Sequence, residues 1–348
     1  MNMKFGSIAI IIIIFILLLI AVLFASLVAK RPAELESGYQ LVMGTFARVV
    51  VVAKDTGTAQ KCIEAAFAEI DNVDKLMSDY KKDSEIGIVN NNAAEHPVQV
   101  GELTFEVLQR SIEFSKLTGG AFDITVGPSV DLFRAAMENH IAPTQEQIDN
   151  AKSKVGYEKL ILDPNNRTVK FTVEGMRLDL GGIAKGYGID KAIEATKKFG
   201  AIGAMVDIGG DVRCFGIPAK GKAHWLVGLQ DPNLSANKTG LDIVLTLKIT
   251  DGAVATSGDY QQFVIIDSKE YSHIIDRKTG TSSEGLSSVT IITDNATDAD
   301  ALATAVSVMG AEKGLALIEK LPDTEAILIT SEPDSRIIKT PAADKYIK

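Results

Sequence analysis

The chain has 348 residues and a formal net charge of -9 at pH 7, with 36 Lys and Arg against 45 Asp and Glu. Because nucleic-acid affinity rests on clustered basic side chains, this acidic balance argues against a general phosphate-backbone binder, and we expect no nucleic acid among its partners. The two cysteines, Cys62 and Cys214, are too few for a disulfide framework or a cysteine metal site. We expect each to be a small buried side chain.

The N-terminus carries an apolar run from Ile8 to Val28 that only Ser26 interrupts. Its length matches an α-helix that crosses the hydrocarbon core of a bilayer. A cleaved secretory signal is the alternative, but the run exceeds the roughly 7–15 apolar residues of such signals. Leu27-Val28-Ala29 is also a poor cleavage site. The run therefore predicts an uncleaved N-terminal transmembrane helix.

We accordingly divide the chain into an anchor over residues 1–29, a short polar tether over 30–38 and one large domain over 39–348. Basic residues flank the apolar run on both sides, with Lys4 before it and Lys30-Arg31 after it. Since orientation follows the balance of flanking positive charge, charge alone leaves open which side of the membrane the large domain occupies.

Hydrophobic periodicity in the large domain predicts helices and strands in irregular order. The first half reads as a strand over Gln40–Val52, a helix over Ala59–Met77, a polar turn near 80–85, a helix over Thr104–Leu117, an irregular stretch from Ala121 and a charged helix near Thr144–Val155. The second half reads as strands over Met176–Leu180, Ala204–Ile208, Trp225–Leu229, Ile243–Ile249, Phe263–Ile266, Ser288–Thr293 and Ala326–Ile329, with helices over Ile183–Lys198, Asp298–Met309 and Ala311–Leu321. We expect an α+β (mixed α/β) fold with a mixed sheet and surrounding helices, not a doubly wound parallel sheet.

A glycine-rich turn joins the strand and the helix predicted on either side of Gly181-Gly182. It brings a helix N-terminus and Lys185 close together, an arrangement that suits a phosphate. The segment is not a Walker loop, because no Ser or Thr follows Lys185, and it lacks the glycine spacing of dinucleotide-binding folds. A tight turn with a surface lysine is the alternative.

The predicted helix near 298–309 is apolar almost all round, yet Asp300 and Thr304 lie four residues apart and so share one face. Buried oxygens need a partner, and Mg²⁺ prefers hard oxygen ligands and often bridges to phosphates. The alternative is that Asp298 or Asp300 caps the helix and favours its dipole.

The histidines at 96, 140, 224 and 273 are scattered, so a histidine zinc site has no support. His273 lies in the segment from Tyr271 to Gly280, where a lone histidine is commonly structural. Because its side chain titrates near neutral pH, it is nevertheless the best general-base candidate in the chain.

These segments occur together in an order that resembles the ApbE-type flavin transferases, also called FAD:protein FMN transferases. The resemblance runs from about Met43 to about Met309. It rests on Met43-Gly44-Thr45, Tyr80–Glu85, Gly119–Asp123, Asp179–Lys185, Val206–Asp211, Thr256-Ser257-Gly258, His273–Gly280 and Asp300–Thr304. Each segment alone is a weak signal, but eight in order identify the family.

The resemblance implies two sets of site residues. FAD would be contacted by Met43, Tyr80, Ala121, Phe122, Asp123, Asp179, Lys185 and the backbone of Ile275. Mg²⁺ would be held across the pyrophosphate by Asp300, Thr304 and the backbone carbonyl of Gly182. Two side-chain oxygens on one helical turn and a carbonyl at a glycine turn would leave positions open for phosphate and water.

The implied reaction is the transfer of FMN from FAD to a threonine of an acceptor protein, with release of AMP. His273 would help to deprotonate that threonine. The acceptor would be a redox component at the membrane, and the large domain would be extracytoplasmic. Two other readings remain: hydrolysis of FAD to FMN and AMP at the same site, or a membrane-anchored flavin- or solute-binding protein without chemistry.

Two segments depart from the family pattern. Lys81-Lys82 stand where the family often has Arg-Pro, and Asp131-Leu132-Phe133-Arg134 replace a stretch that often carries Trp and Gly. We therefore expect the packing around the flavin ring to differ more than the metal site.

Overall fold

The computed structural model describes residues 13–20, 32–219, 221–232, 242–258, 263–266, 269–272, 274–331 and 335–348. Most of the apolar run Ile8–Val28 lies outside these ranges, although 13–20 are helical (α1). Among the described helices, none combines the length and the apolar character needed to cross a membrane. The anchor thus stays a prediction.

A sheet of eight strands forms the centre of the molecule, in the order β1-β2-β6-β7-β10-β15-β16-β17. Its strands are β1 Ala33–Val42, β2 Thr45–Ala53, β6 Ala201–Ile208, β7 Asp211–Phe215, β10 Gly252–Gly258, β15 Leu286–Thr293, β16 Glu325–Thr330 and β17 Ile337–Lys339. Every neighbouring pair in it is antiparallel. The mixed α/β class is confirmed, but this sheet is not mixed in strand direction. Tight turns reverse the chain between β1 and β2 and between β6 and β7, and longer connections join the other pairs.

The single strand predicted over Gln40–Val52 is two strands. Met43 and Gly44 have φ angles of 47° and 74°, and positive φ at both central residues is the geometry of a tight hairpin turn that matches sheet twist. The chain therefore reverses there, and β1 pairs with β2 from Ala33 onward. Residues 33–38, which we expected in a polar tether, are part of the sheet.

Alternate side chains of β2 pack into different cores, as the period of a strand requires. Val49 and Val51 face the larger core beneath the helices. Val50 and Val52 face a second core, which the ribbon of β8 (Trp225–Gln230) and β9 (Ile243–Ile249) covers.

The helices are α2 Thr56–Met77, α3 Glu85–Asn92, α4 Glu102–Leu117, α5 Gly127–Asn139, α6 Gln145–Ser153, α7 Ala184–Lys198, α8 Ala296–Met309 and α9 Ala311–Ile318. The minor strands are β3 Val98–Gln99, β4 Leu160–Asp163, β5 Thr168–Phe171, β11 Phe263–Ile266, β12 Lys269–Ser272, β13 Ile275–Asp276 and β14 Thr281–Ser282. Short 3₁₀ turns occupy Tyr157–Lys159 and Pro341–Tyr346.

Most predicted elements agree with these bounds to within a few residues. Strands β7 and β10 were not predicted, and three further segments differ. Helix α3 starts within the predicted polar turn, where Ser84 caps it by accepting from Gly87 N at 2.8 Å. Helix α5 replaces much of the irregular stretch, and Pro128 in its first turn suits a helix start. Residues 176–180 are not a strand, and form only an isolated bridge between Arg177 and Val126.

Both cysteines are buried and free, as expected. Burial raises the pKa of the Cys62 and Cys214 thiols above the usual range. A protonated, inaccessible thiol is a poor nucleophile and metal ligand, so both side chains serve packing.

Candidate active site

The start of helix α7 is built by the turn at Gly181-Gly182. Just before this turn, Leu178 is held by the side-chain amide of Asn90. That amide donates to Leu178 O at 3.0 Å and accepts from Leu178 N at 2.7 Å. The Asp179 carboxylate then accepts from Gly181 N at 2.7 Å. No side chain caps the helix at Ile183. The positive end of the α7 dipole is instead approached by the Asp300 carboxylate, which accepts from Gly186 N in the first turn at 3.0 Å.

Lys185 lies between two buried carboxylates. Its Nζ donates to Asp211 Oδ2 and lies 3.5 Å from Asp300 Oδ1. Both carboxylates are held by backbone donors on their other oxygen, Asp211 by Thr256 N at 2.9 Å and Asp300 by Gly186 N at 3.0 Å. The charged atoms at the start of α7 are thus fixed by β7, β10 and α8.

Two carboxylates and one ammonium leave this cluster with one uncompensated negative charge. Burial, together with the neighbouring charge of Asp211, raises the pKa of Asp300 to about 6 despite Lys185. For Lys185, burial lowers the pKa, but the charges of Asp211 and Asp300 outweigh it and leave the pKa above its ordinary value. The lysine stays protonated, and the site favours an added cation.

Thr304 lies directly against the glycine turn. A Cβ built on Gly182 would lie 2.8 Å from Thr304 Oγ1, closer than a real Cβ sits to its neighbours. Only glycine lets the backbone approach the threonine hydroxyl so closely. Thr304 Oγ1 is also 3.5 Å from Ser257 Oγ, at the limit of a hydrogen bond. The Gly182 backbone and the Thr304 hydroxyl therefore lie close together, one turn of α8 away from Asp300.

Helices α7 and α8 reach this proximity through a second glycine. A Cβ on Gly186 would collide with the backbone carbonyl of Ala296 and with the Asp300 side chain.

Across the described ranges, no group of three or more His, Cys, Asp or Glu side chains is arranged to hold a metal ion. A metal ion here would need threonine or backbone oxygens beside Asp300.

Helix α8 is capped by residues other than Asp300. Asn295 accepts from Asp298 N at 2.9 Å, while the Asp298 carboxylate pairs with Arg110 Nη2 at 2.7 Å. The Asp190 carboxylate, from α7, accepts from Ala296 N at 2.8 Å and Thr297 N at 2.9 Å. Capping therefore does not account for Asp300, which faces Lys185.

We expect Asp190→Ala to lower the free energy of unfolding by about 3 kcal/mol, because it leaves Arg213 and two buried N–H groups without their acceptor. Asp190 Oδ1 also accepts from Arg213 Nη1 at 2.7 Å. Urea unfolding measures the loss. The control is Glu194→Ala on the same helix, whose side chain is 61% exposed and should change stability by no more than about 0.5 kcal/mol. Equal losses would contradict the assigned role of Asp190.

Tyr80 and Asp179 meet beside this turn through Arg134. The Arg134 guanidinium lies 4.5 Å from the centroid of the Tyr80 ring, and its Nη2 is 3.8 Å from Asp179 Oδ2. Burial and the charge of Asp79 raise the pKa of Asp179. The sequence interpretation did not assign Arg134, which lies in one of the segments that depart from the family pattern.

Phe122 and Asp123 are buried and bonded within the protein. The Asp123 carboxylate accepts from Thr125 N at 2.9 Å, Tyr157 N at 3.0 Å and Arg277 Nη1 at 2.8 Å, while Phe122 packs edge-on against Phe114 at 6.0 Å between ring centroids. Ala121 is partly buried beside them. The Asp123 side chain thus holds the loop, and contact with FAD stays a prediction.

The remaining predicted residues are spread along the same region. Met43 lies in the β1–β2 turn against α7, where a Cβ on Gly188 would be 3.5 Å from its sulfur. Ile275 is buried in a small core with Phe133 and Ile148. His273 lies outside the described residues, so its predicted role as a base stays a prediction.

Asp211 is a second site residue that sequence reasoning missed. It ends the segment Val206–Asp211, quoted for the resemblance without a role. The available signal in the sequence was an acidic residue directly after Gly209-Gly210. In the structure both glycines take positive φ and form the turn between β6 and β7. Its pairing with Lys185 could not be read from spacing, because 26 residues separate the two.

Comparisons with known proteins agree with this fold and site. A model of the ApbE family matches residues 43–328. The FAD:protein FMN transferase of Treponema pallidum (strain Nichols) is 32% identical over 312 residues, which cover 86% of this chain and 84% of that protein. The FAD:protein FMN transferase of Escherichia coli (strain K12) is 31% identical over 298 residues, covering 84% and 83%.

Two solved structures are similar over nearly their whole length. The crystal structure of the ApbE protein from Thermotoga maritima superposes with a TM-score of 0.81 at 32% identity, covering 91% of this chain and 99% of that one. The flavin transferase ApbE from Vibrio cholerae gives a TM-score of 0.78 at 29% identity, again covering 91% and 99%. On sequence, fold and site geometry together, the chain belongs to the ApbE family.

Proposed function

We propose that this chain is a Mg²⁺-dependent FAD:protein FMN transferase, which moves FMN from FAD to a threonine hydroxyl of an acceptor protein and releases AMP. The family relationship supports a flavin transferase, since the relatives above carry that name. The observation that carries the finer proposal is the cluster of Lys185, Asp211 and Asp300 at the start of α7. That cluster suits a pyrophosphate accompanied by a cation.

The oxygen atoms near Lys185 fit a magnesium ion. Asp300, Thr304 and the backbone carbonyl of Gly182 would hold Mg²⁺, which when bound neutralises charge on the pyrophosphate oxygens. The fit rests on the close approach of Gly182 to Thr304 and on the uncompensated negative charge of the cluster. Burial and the charge of Asp211 raise the pKa of Asp300, and an added cation would favour its charged form.

Lys185 and the start of α7 would bind the phosphates. Lys185 remains protonated between Asp211 and Asp300, so it can offset the charge of an anionic oxygen. Asp211 orients the lysine, because its other carboxylate oxygen is held by Thr256 N. The Lys185 side chain is 31% exposed and so accessible to substrate.

In the proposed transfer, the acceptor threonine oxygen forms a bond to the phosphorus of the FMN half. The bond from that phosphorus to the bridging pyrophosphate oxygen breaks, and AMP leaves with the bridging oxygen. The threonine proton passes to a base, for which we propose His273. Tyr80, a residue that is 72% exposed, would place its ring against the flavin ring.

The decisive experiment incubates the protein with FAD, Mg²⁺ and candidate acceptor domains, and follows acceptor mass and free FMN. We expect a covalent FMN adduct on a threonine, with AMP in equal amount. Free FMN without an adduct would instead identify a hydrolase. Bound FAD without either product would identify a binding protein.

We further propose that residues 1–29 hold the protein at the cell membrane with its large domain extracytoplasmic, where an acceptor in a membrane redox system would be within reach. The length and apolarity of the run Ile8–Val28 support this proposal. We expect the full chain to remain with membranes after a high-salt wash. In cells whose outer envelope has been permeabilised, we expect externally added protease to degrade the large domain. Recovery in the soluble fraction would contradict the anchor.

A further inference from the structure

We propose that Arg134 is a positioning residue for the flavin end of the substrate, acting through the ring of Tyr80. This inference rests on the function proposed above. It assigns a role to a residue in the segment Asp131–Arg134, which departs from the family pattern.

Arg134 covers one face of the Tyr80 ring. Its guanidinium carbon lies 4.5 Å from the ring centroid, close enough for a cation–π interaction. Tyr80 is nevertheless 72% exposed, so the arginine leaves much of the ring open to solvent. An exposed aromatic side chain in the turn between α2 and α3 would otherwise sample several rotamers, and the arginine favours the one stacked on it.

Arg134 is itself held in place by three carboxylates from separate elements. Its Nη1 pairs with Asp131 Oδ1 at 3.1 Å on the same helix. Its Nη2 lies 3.9 Å from Asp79 Oδ2 and 3.8 Å from Asp179 Oδ2. Asp79 precedes Tyr80, and Asp179 holds the glycine turn through Gly181 N. One side chain therefore connects the orientation of the Tyr80 ring to the turn at the proposed pyrophosphate site.

Two effects would favour the binding of a flavin ring stacked on the open face of Tyr80. The ring would be presented in one orientation, which reduces the entropy lost on binding. The distance between the flavin and pyrophosphate ends would also be set, since Arg134 and Asp179 join them. The role predicts an effect on FAD affinity and little effect on the chemical step.

The structure supplies a matched control in Arg177. Its Nη2 lies 3.3 Å from Asp79 Oδ2, and its Nε lies 2.9 Å from Asp131 Oδ2. It thus shares two of the three carboxylates with Arg134, yet it lies over no aromatic ring in the described part of the chain. Arg177→Ala measures the effect of breaking the charge cluster without removing the stacked cation.

The test compares Arg134→Ala, Arg134→Lys, Arg177→Ala, Tyr80→Ala and the Arg134→Ala/Tyr80→Ala double variant, with FAD titrated in the transfer assay and by calorimetry. We expect Arg134→Ala to raise KM and Kd for FAD roughly three- to tenfold, with kcat within about twofold of wild type. Arg134→Lys should recover most of the loss, because a lysine retains the cation. In the Tyr80→Ala background, Arg134→Ala should cause no further loss.

Equal losses in Arg134→Ala and Arg177→Ala would overturn the inference, since the cluster alone would then explain the effect. A full additional loss in the double variant would also overturn it, because Arg134 would then act independently of Tyr80. If wild-type protein binds no FAD, the proposed function fails and this inference fails with it. If wild-type protein binds FAD and transfers FMN but the Arg134 variants do not show the expected effects, only this inference is contradicted.

Discussion

Replacing Asp300 with alanine should abolish Mg²⁺-dependent turnover. Asp300 is 3% exposed, and its carboxylate is the only charged ligand in the proposed magnesium set. Without it, Lys185 pairs with Asp211 alone, and the cluster loses the excess negative charge that favours a cation. Transfer of FMN should fall to the level measured with chelator, whatever the FAD concentration.

The Asp300 experiment needs a variant that separates charge from packing, because Asp300 also accepts from Gly186 N. Asp300→Asn keeps the size and an acceptor oxygen but removes the charge, so we expect it to be as inactive as alanine while unfolding near the wild-type urea concentration. The matched control is Asp298→Asn on the same helix, whose carboxylate pairs with Arg110 away from Lys185. It should stay within about twofold of wild type, as expected for a partly exposed ion pair. Mg²⁺-dependent turnover in Asp300→Asn would remove the metal assignment.

Replacing His273 with alanine should reduce transfer by about 10²–10⁴-fold, the range that general-base catalysis supplies. The acceptor threonine must lose its proton as its oxygen attacks phosphorus, and the chain has only four histidines. His273 directly follows β12 and lies two residues before Ile275, which resemblance assigns to FAD contact. The effect should appear in kcat, with FAD affinity close to wild type.

Two comparisons make the His273 experiment specific. His224→Ala is the control, because His224 is exposed and its Nδ1 is 3.0 Å from Thr250 Oγ1, on the side of β8 and β9. It should leave transfer within about twofold of wild type. Added imidazole should restore part of the activity of His273→Ala, since it can accept the proton in place of the side chain. Transfer by His273→Ala within about threefold of wild type would rule out the general-base role.

Much of the fold could be predicted because its signals are local. Helix α2, for example, follows from apolar residues at three- and four-residue spacing. The elements that escaped prediction depend on single backbone angles or on caps. The reversal at Met43-Gly44 requires positive φ at two residues, one of which is not glycine. Residues 176–180 look like a strand because apolar and charged residues alternate along them, yet they form no ladder beyond the bridge of Arg177 to Val126.

By itself, the sequence determined which oxygens of α8 share a face and which lysine follows the glycine turn. Asp300 and Thr304 lie four residues apart, and the helical period alone places them together. Only the tertiary structure decided what these groups meet. Lys185 reaches Asp211 across 26 residues and Asp300 across 115. The contact with Asp300 exists because glycines at 182 and 186 let α7 and its preceding turn pack against α8 without a side chain between them. The same holds for the stacking of Arg134 on Tyr80. Contacts between distant residues depend on how the elements pack against each other, and local spacing in the sequence does not predict that packing.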